Sequence, residues 1–225
     1  MNELDDFETL TAFAGLPVEP FTGGTSLART ATHAYRIGVT WDDDDMEQEF
    51  HDRLDALLAA PEIGSLQGLV LGSWGESMNK FDPFMEKLLK NASSLTSLRA
   101  VFIGDIAQEE AEVSWIEQCD HGPLISALPQ LEVYGVRGGN SLRFTGAKSP
   151  GLSKLIVQAG GLPSNAIGDI IAADFPALRN LELWLGCDEY GFDGSIDTVK
   201  QLIDGRAHPA LSRLGLRNSE IVDAI

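Results

Sequence analysis

The chain has 225 residues, of which 44% are apolar and 22% charged, a globular composition on a chain long enough to bury a sizeable core. Its formal charge of −18 comes from 34 acidic against 16 basic side chains. That balance excludes nucleic acid and anionic membrane surfaces as expected partners, because acidic groups add to phosphate repulsion instead of releasing counterions. It keeps a chain in solution and leaves basic proteins open as partners.

Residues 1–33 read as an N-terminal cap: they are acidic at the start and have no basic stretch leading into an apolar one. No run of about 18 apolar residues occurs, so neither secretion nor a membrane span is expected. Cys119 and Cys187 form no disulfide framework and no paired metal-ligand spacing, which makes a reducing cytoplasm the expected compartment.

From residue 34 onward the pattern L-x-x-L-x-L recurs. A weak copy at Ile37-Gly-Val39, opening on Ala34, runs into the acidic junction Trp41-Asp-Asp-Asp-Asp45. Phe50, Leu54, Leu57 and Leu58 then share one helical face. Leu66-Gln-Gly-Leu69-Val-Leu71 follows, then a helix on Phe81, Phe84, Met85, Leu88 and Leu89, with Asp82 expected as N-cap and Pro83 at the first helical position. Leu98-Arg-Ala-Val101-Phe-Ile103 leads into Val113–Leu128, expected to be helical but broken at Gly122-Pro123. Leu131-Glu-Val-Tyr134-Gly-Val136 and Leu152-Ser-Lys-Leu155-Ile-Val157 lie close together, with room only for a loop or a 3₁₀ turn between them. Leu178-Arg-Asn-Leu181-Glu-Leu183 comes next. A helix follows on Ile196, Val199, Leu202 and Ile203, capped by Ser195 and closed by Gly205, before Leu211-Ser-Arg-Leu214-Gly-Leu216.

The second apolar position falls at 37, 69, 101, 134, 155, 181 and 214, in steps of 32, 32, 33, 21, 26 and 33 residues. Lead-ins repeat too: Ile63-Gly-Ser, Leu95-Thr-Ser, Leu128-Pro-Gln, Phe175-Pro-Ala and His208-Pro-Ala. One such motif means little, because leucine is common. Six strong copies, most with the same lead-in, are specific. Strand alternating with helix at a near-constant period predicts a right-handed parallel α/β array, positions 4 and 6 of each motif pointing inward and the helices on the outside.

These residues resemble the leucine-rich-repeat superfamily, and the long helix-bearing period is most similar to its ribonuclease-inhibitor-type branch. The resemblance covers residues 34–225 as about seven irregular repeats. It implies a solenoid with a concave parallel sheet, convex helices and protein binding on the concave side. The Asp run and the Phe-Pro-Ala-Leu lead-in also resemble, more loosely, bacterial cytoplasmic repeat proteins encoded beside WGR-domain proteins. One departure stands out. Position 9, usually Asn or Cys in the superfamily, holds Trp74, Ile106, Gly139, Gly160, Gly186 and Ser219, so there is no asparagine ladder.

Positions 3, 5 and 7 point to the concave face by strand alternation. They supply Arg36, Phe102, Arg137, Lys154, Ile156, Glu182, Trp184, Arg213 and Arg217, an expected partner-binding surface that is apolar and basic in an acidic chain.

Catalytic chemistry and a cofactor are not expected. His33, His51, His121 and His208 are scattered, Thr22-Gly-Gly-Thr25 lacks the Lys of a phosphate loop, and Gly72-Ser-Trp-Gly75 has the wrong spacing for a nucleophile elbow. The alternative is a metal-binding protein or metal-dependent hydrolase built on Asp42, Asp43, Asp44 and Asp45, joined by Asp188 and Glu189. Charge runs are usually solvated, and this one suits a helix start. At the other end, Arg217–Ile225 reads as the start of a further helix. Either an incomplete final repeat of a longer protein or self-association through the last strand is therefore expected.

Overall fold

The computed structural model describes residues 8–76 and 78–221. Short apolar runs form nine strands: β1 Ala12–Phe13, β2 Leu16–Pro20, β3 Ala34–Ile37, β4 Gly68–Leu71, β5 Ala100–Ile103, β6 Val133–Arg137, β7 Lys154–Gln158, β8 Asn180–Gly186 and β9 Arg213–Ser219. They make one sheet in sequence order. β1 and β2 pair antiparallel, and every later neighbouring pair is parallel.

Five helices return the chain between strands: α1 Met46–Leu58, α2 Asp82–Asn91, α3 Gly122–Ala127, α4 Ser164–Ala172 and α5 Ile196–Ile203. Phe50, Leu54, Leu57 and Leu58 of α1 and Phe84, Met85 and Leu88 of α2 are buried as their helical spacing predicts. They share one core with the position 4 and 6 residues of the strands, among them Leu69, Leu71, Val101, Ile103, Tyr134 and Val136. Fully burying one such aliphatic side chain contributes about 1.5–3 kcal/mol. No helix of the described residues is long and apolar enough to cross a membrane.

Strand register follows the motif. Leu69, Val101, Tyr134, Leu155, Leu181 and Leu214 lie side by side along the sheet. The weak first copy is offset. Tyr35, not Ile37, stands beside Leu69, so Arg36 occupies position 5 rather than position 3. A slip of two residues preserves the face of every side chain, which is why the inward set survived the misalignment.

Other local expectations shift for physical reasons. α2 begins at Asp82, with Phe81 in the cap position and no side-chain cap bond. Pro123 does not break a helix but helps start one, α3, where its missing N–H has no helical partner to lose. Upstream of it only Val113–Trp115 is a 3₁₀ turn. Between β6 and β7 there is no helix. The connection runs extended and bridges its neighbours at Glu117–Asn140, Asp120–Arg143 and Lys148–Asp174. At α5, the Thr198 hydroxyl accepts from the Ser195 N–H at 3.0 Å, and Gly205 takes the left-handed conformation just past the helix end.

The segment expected as a cap contributes the β1–β2 hairpin. β2 extends the parallel sheet beside β3, while Leu10 and Phe13 fold onto the sheet face turned away from the helices.

Candidate functional site

On that second face, positions 3, 5 and 7 form rows across the sheet, and their exposure changes along it. At the β3–β6 end the residues are small or covered: Ala34, Gly68, Ala100, Val70 and Phe102 are buried. At the β8–β9 end, Asn180, Glu182, Arg217 and Arg213 are half-buried to exposed.

The covered end is a second, smaller apolar cluster of Leu10, Phe13, Ala34, Val70, Ala100 and Phe102. Phe13 meets Phe102 edge-on, with ring centroids 5.5 Å apart. Phe102 can lie flat because its neighbour on β6 is Gly135; a Cβ there would come within 2.2 Å of the ring. The Arg137 guanidinium carbon sits 5.8 Å from the same ring centroid.

A polar row borders this cluster at the strand ends. Arg36 reaches over Gly72, the residue just past β4, where a Cβ would lie 2.4 Å from Nη2, and donates to the Asp105 carboxylate at 2.7 Å. The other oxygen of Asp105 accepts the Leu10 backbone N–H at 2.9 Å. Arg137 donates to the Ile106 carbonyl at 2.7 Å, to the Glu8 carbonyl at 3.5 Å and to the Gln158 side chain at 2.9 Å. Burial lowers the affinity of Arg137 for its proton, and Asp105 opposes that effect. Behind the row, Gln118 links the Arg137 carbonyl to His121, which also bonds to the Tyr134 hydroxyl. Burial holds His121 neutral, with a pKa near 3.

These contacts correct the expected exposed surface. Phe102, Ile156 and Arg137 are fully buried and Trp184 is 7% exposed, so they are not surface contacts. The reason at Phe102 is a segment from the far end of the sequence lying over it, which strand alternation does not reveal. Arg36 is drawn into the polar row. Lys154, Glu182, Arg213 and Arg217 do come together, around a shallow groove of about 290 Å³ that also includes Asn180 and Gly215. There Glu182 accepts from the Trp184 indole at 3.0 Å and pairs with Arg217 at 3.4 Å.

A larger cleft, about 530 Å³, opens where loops leave the C-terminal ends of the strands. Its walls include Glu112, Ser114, Gly160, Cys187, Tyr190 and Glu220. Sequence reasoning missed it, because its lining comes from four separate segments and no spacing links them.

The acidic run serves the helix start. Asp45 accepts the Gln48 N–H at 3.1 Å as N-cap of α1, and Asp43 accepts from Thr40 N–H and pairs with Arg53 at 2.8 Å. The Thr40 backbone bond most strongly, and the nearby guanidinium to a lesser extent, lower the Asp43 pKa. Asp188 and Glu189 follow β8, five strands from the run after β3, roughly 24 Å at the usual strand spacing. The two acidic loops therefore do not form one site. Among the described residues no three His, Cys, Asp or Glu side chains are grouped to hold a metal. Cys119 is buried, its thiol pushed up to about 12 chiefly by desolvation, while Cys187 is half-buried in the cleft wall.

No family model and no curated protein matches the sequence. Among solved structures, the chain is similar to a crystal structure of a protein from Bacteroides fragilis. The two are 31% identical with a TM-score of 0.72, over 80% of this chain and 51% of the other. The chain thus spans about half the length of that bacterial protein and shares with it an α/β fold.

Proposed function

We propose that the chain is a leucine-rich-repeat solenoid of the long, ribonuclease-inhibitor-like type. It works without catalysis, by binding a protein partner on the sheet face opposite the helices. The fold part is supported by the parallel strands β4 to β9, which lie in register and each carry the L-x-x-L-x-L motif, with a helix in most connections. A single observation carries the binding part: the uncovered end of that face collects Lys154, Arg213 and Arg217 around a groove in a chain of net charge −18. Cations gathered where the rest of the molecule is acidic favour a partner that presents carboxylates there. Glu182, which pairs with Arg217 and accepts from the Trp184 indole, offsets one of these cations and leaves the groove with an excess of positive charge.

The test is capture from lysate by the wild-type chain and by a Lys154→Glu/Arg213→Glu/Arg217→Glu variant. The same protein should be retained by the first and lost by the second at matched folding. Equal capture by both would remove the groove from the binding reading.

β9 is the last strand in the sheet order and pairs with β8 alone among the described strands. Its Leu214 and Leu216 are only partly buried. Strand edges of this kind pair with other chains, so self-association through β9 is a second contact mode. Light scattering across a concentration series tests it, and a monomer throughout excludes it. The expected helix start at Arg217–Ile225 does not form as far as it is described: the strand continues to Ser219, and residues 222–225 lie outside the described residues.

A further inference from the structure

The segment lying over the second face is held in the way a bound peptide is held. We propose that this face is a groove for an extended peptide in which Glu8–Phe13 is the resident, displaceable occupant. The partner it fits is a segment of another protein carrying an aliphatic and an aromatic side chain three residues apart. This rests on reading the face as a protein-binding surface, and it assigns the covered end of that surface.

The contacts divide as peptide recognition does. Asp105 reads a backbone N–H, that of Leu10, and Arg137 reads a backbone carbonyl, that of Glu8. Any extended chain offers both groups. Specificity falls to two apolar anchors: Leu10 and Phe13 are buried against Ala34, Val70, Ala100 and Phe102. Glu8, Thr9 and Thr11 around them are exposed. Two anchors with solvated residues between them are the signature of a short linear ligand.

Stability alone does not call for this construction. A cap could cover an apolar face with apolar residues, whereas taking Asp105 and Arg137 fully out of water carries a desolvation penalty that pairing often fails to repay. Gln158 points the same way. It is fully buried on the strand beside Arg137, its Oε1 accepts from Arg137, and its Nε2 has no hydrogen-bond partner. A buried amide donor next to a carbonyl-reading arginine is placed to take a further carbonyl of a longer peptide.

The occupant's strand attachment is short. β1 pairs with β2 through only two residues, and the turn between them runs through Ala14 and Gly15, both with positive φ. Tethering, at millimolar effective concentration, keeps such a segment seated against weak competitors.

The experiment uses the full chain and a fluorescent synthetic peptide with the sequence of residues 2–15. Polarisation is read with wild type, with Leu10→Ala/Phe13→Ala, and with that double variant also carrying Asp105→Asn. The double variant should bind the peptide at least about tenfold more tightly than wild type, because its own segment competes less. Asp105→Asn, which keeps an acceptor but loses its charge, should reverse part of that gain, and a peptide with serine in place of its Leu and Phe should not bind. A folded double variant that binds no better than wild type, or binds the serine peptide equally, overturns the proposal.

Should the double variant not fold, native-state hydrogen exchange on the unaltered protein decides. The Leu10 N–H should exchange about a hundredfold faster than the Val157 N–H in the central sheet, through local release. Equal rates would mean the segment leaves only on global unfolding, and would equally overturn it. Lys154, Arg213 and Arg217 lie outside the contacts of Leu10 and Phe13, so loss of capture through the open groove and failure of peptide exchange are separate results.

Discussion

The Arg36 guanidinium and the Asp105 carboxylate, 69 residues apart in the chain, meet at 2.7 Å above the backbone of Gly72. A second bond from Arg36 to the Asp105 carbonyl, at 2.8 Å, fixes the pair, and Leu10 N–H takes the remaining carboxylate oxygen. β3, the loop after β5 and the N-terminal segment are joined at one fully buried carboxylate. Asp105→Ala should therefore cost about 3–5 kcal/mol, since it leaves a partly buried guanidinium and a backbone N–H unpaired. Asp105→Asn should cost less. Urea denaturation measures both, and a loss under about 1 kcal/mol for the alanine variant would contradict the clamp.

Gly135 is present for the sake of Phe102. A methyl group at Gly135 would lie 2.2 Å from the Phe102 ring. Gly135→Ala should therefore destabilise by about 1–3 kcal/mol through overpacking. Combining it with Phe102→Leu should recover part of that loss, giving a non-additive cycle. Additive losses would show that the two residues do not share the space.

His121 ties stability to pH. Its folded pKa lies near 3 because burial disfavours the charged form, while an unfolded histidine titrates near 6.5. The unfolded chain thus binds the proton first as pH falls. The contribution is fully present above about pH 6.5 and is lost progressively down to about pH 3, on the order of 5 kcal/mol in all. His208, lowered chiefly by burial as well, acts in the same direction. Replacing His121 with Gln should flatten the fall in urea midpoint between pH 7 and pH 4. An unchanged slope would mean that His121 is not buried neutral.

The two thiols should separate by reactivity. Cys119, buried with its pKa pushed up to about 12, should resist a disulfide-exchange reagent until the protein unfolds. Cys187, half-buried in the large cleft, should react in the native state. Counting thiols before and after adding denaturant checks this, and two fast thiols would place Cys119 nearer solvent than it lies here.

The features legible in the residue order are local and periodic. Apolar spacing of two marked the strands, and spacing of three and four marked the buried faces of α1 and α2, because neighbours on one face of an element are fixed by backbone geometry alone. The repeated Leu-x-x-Leu-x-Leu then set the register of every strand from β4 to β9, as those residues must share one core. The candidate site was legible only in part. Lys154, Glu182, Arg213 and Arg217 were found by strand alternation, but the burial of Phe102, Arg137 and Ile156 was not.

Which of the second-face residues meet solvent is set by long-range packing. That outcome depends on Leu10 and Phe13, some 90 residues from Phe102, whose spacing carries no helical or strand period that would reveal a long-range partner. It depends equally on glycines at 72 and 135, whose missing side chains let Arg36 and Phe102 lie across the neighbouring strands. Periodicity reports which way a side chain points. What lies over it is settled by chain segments that meet only when the whole sheet has formed.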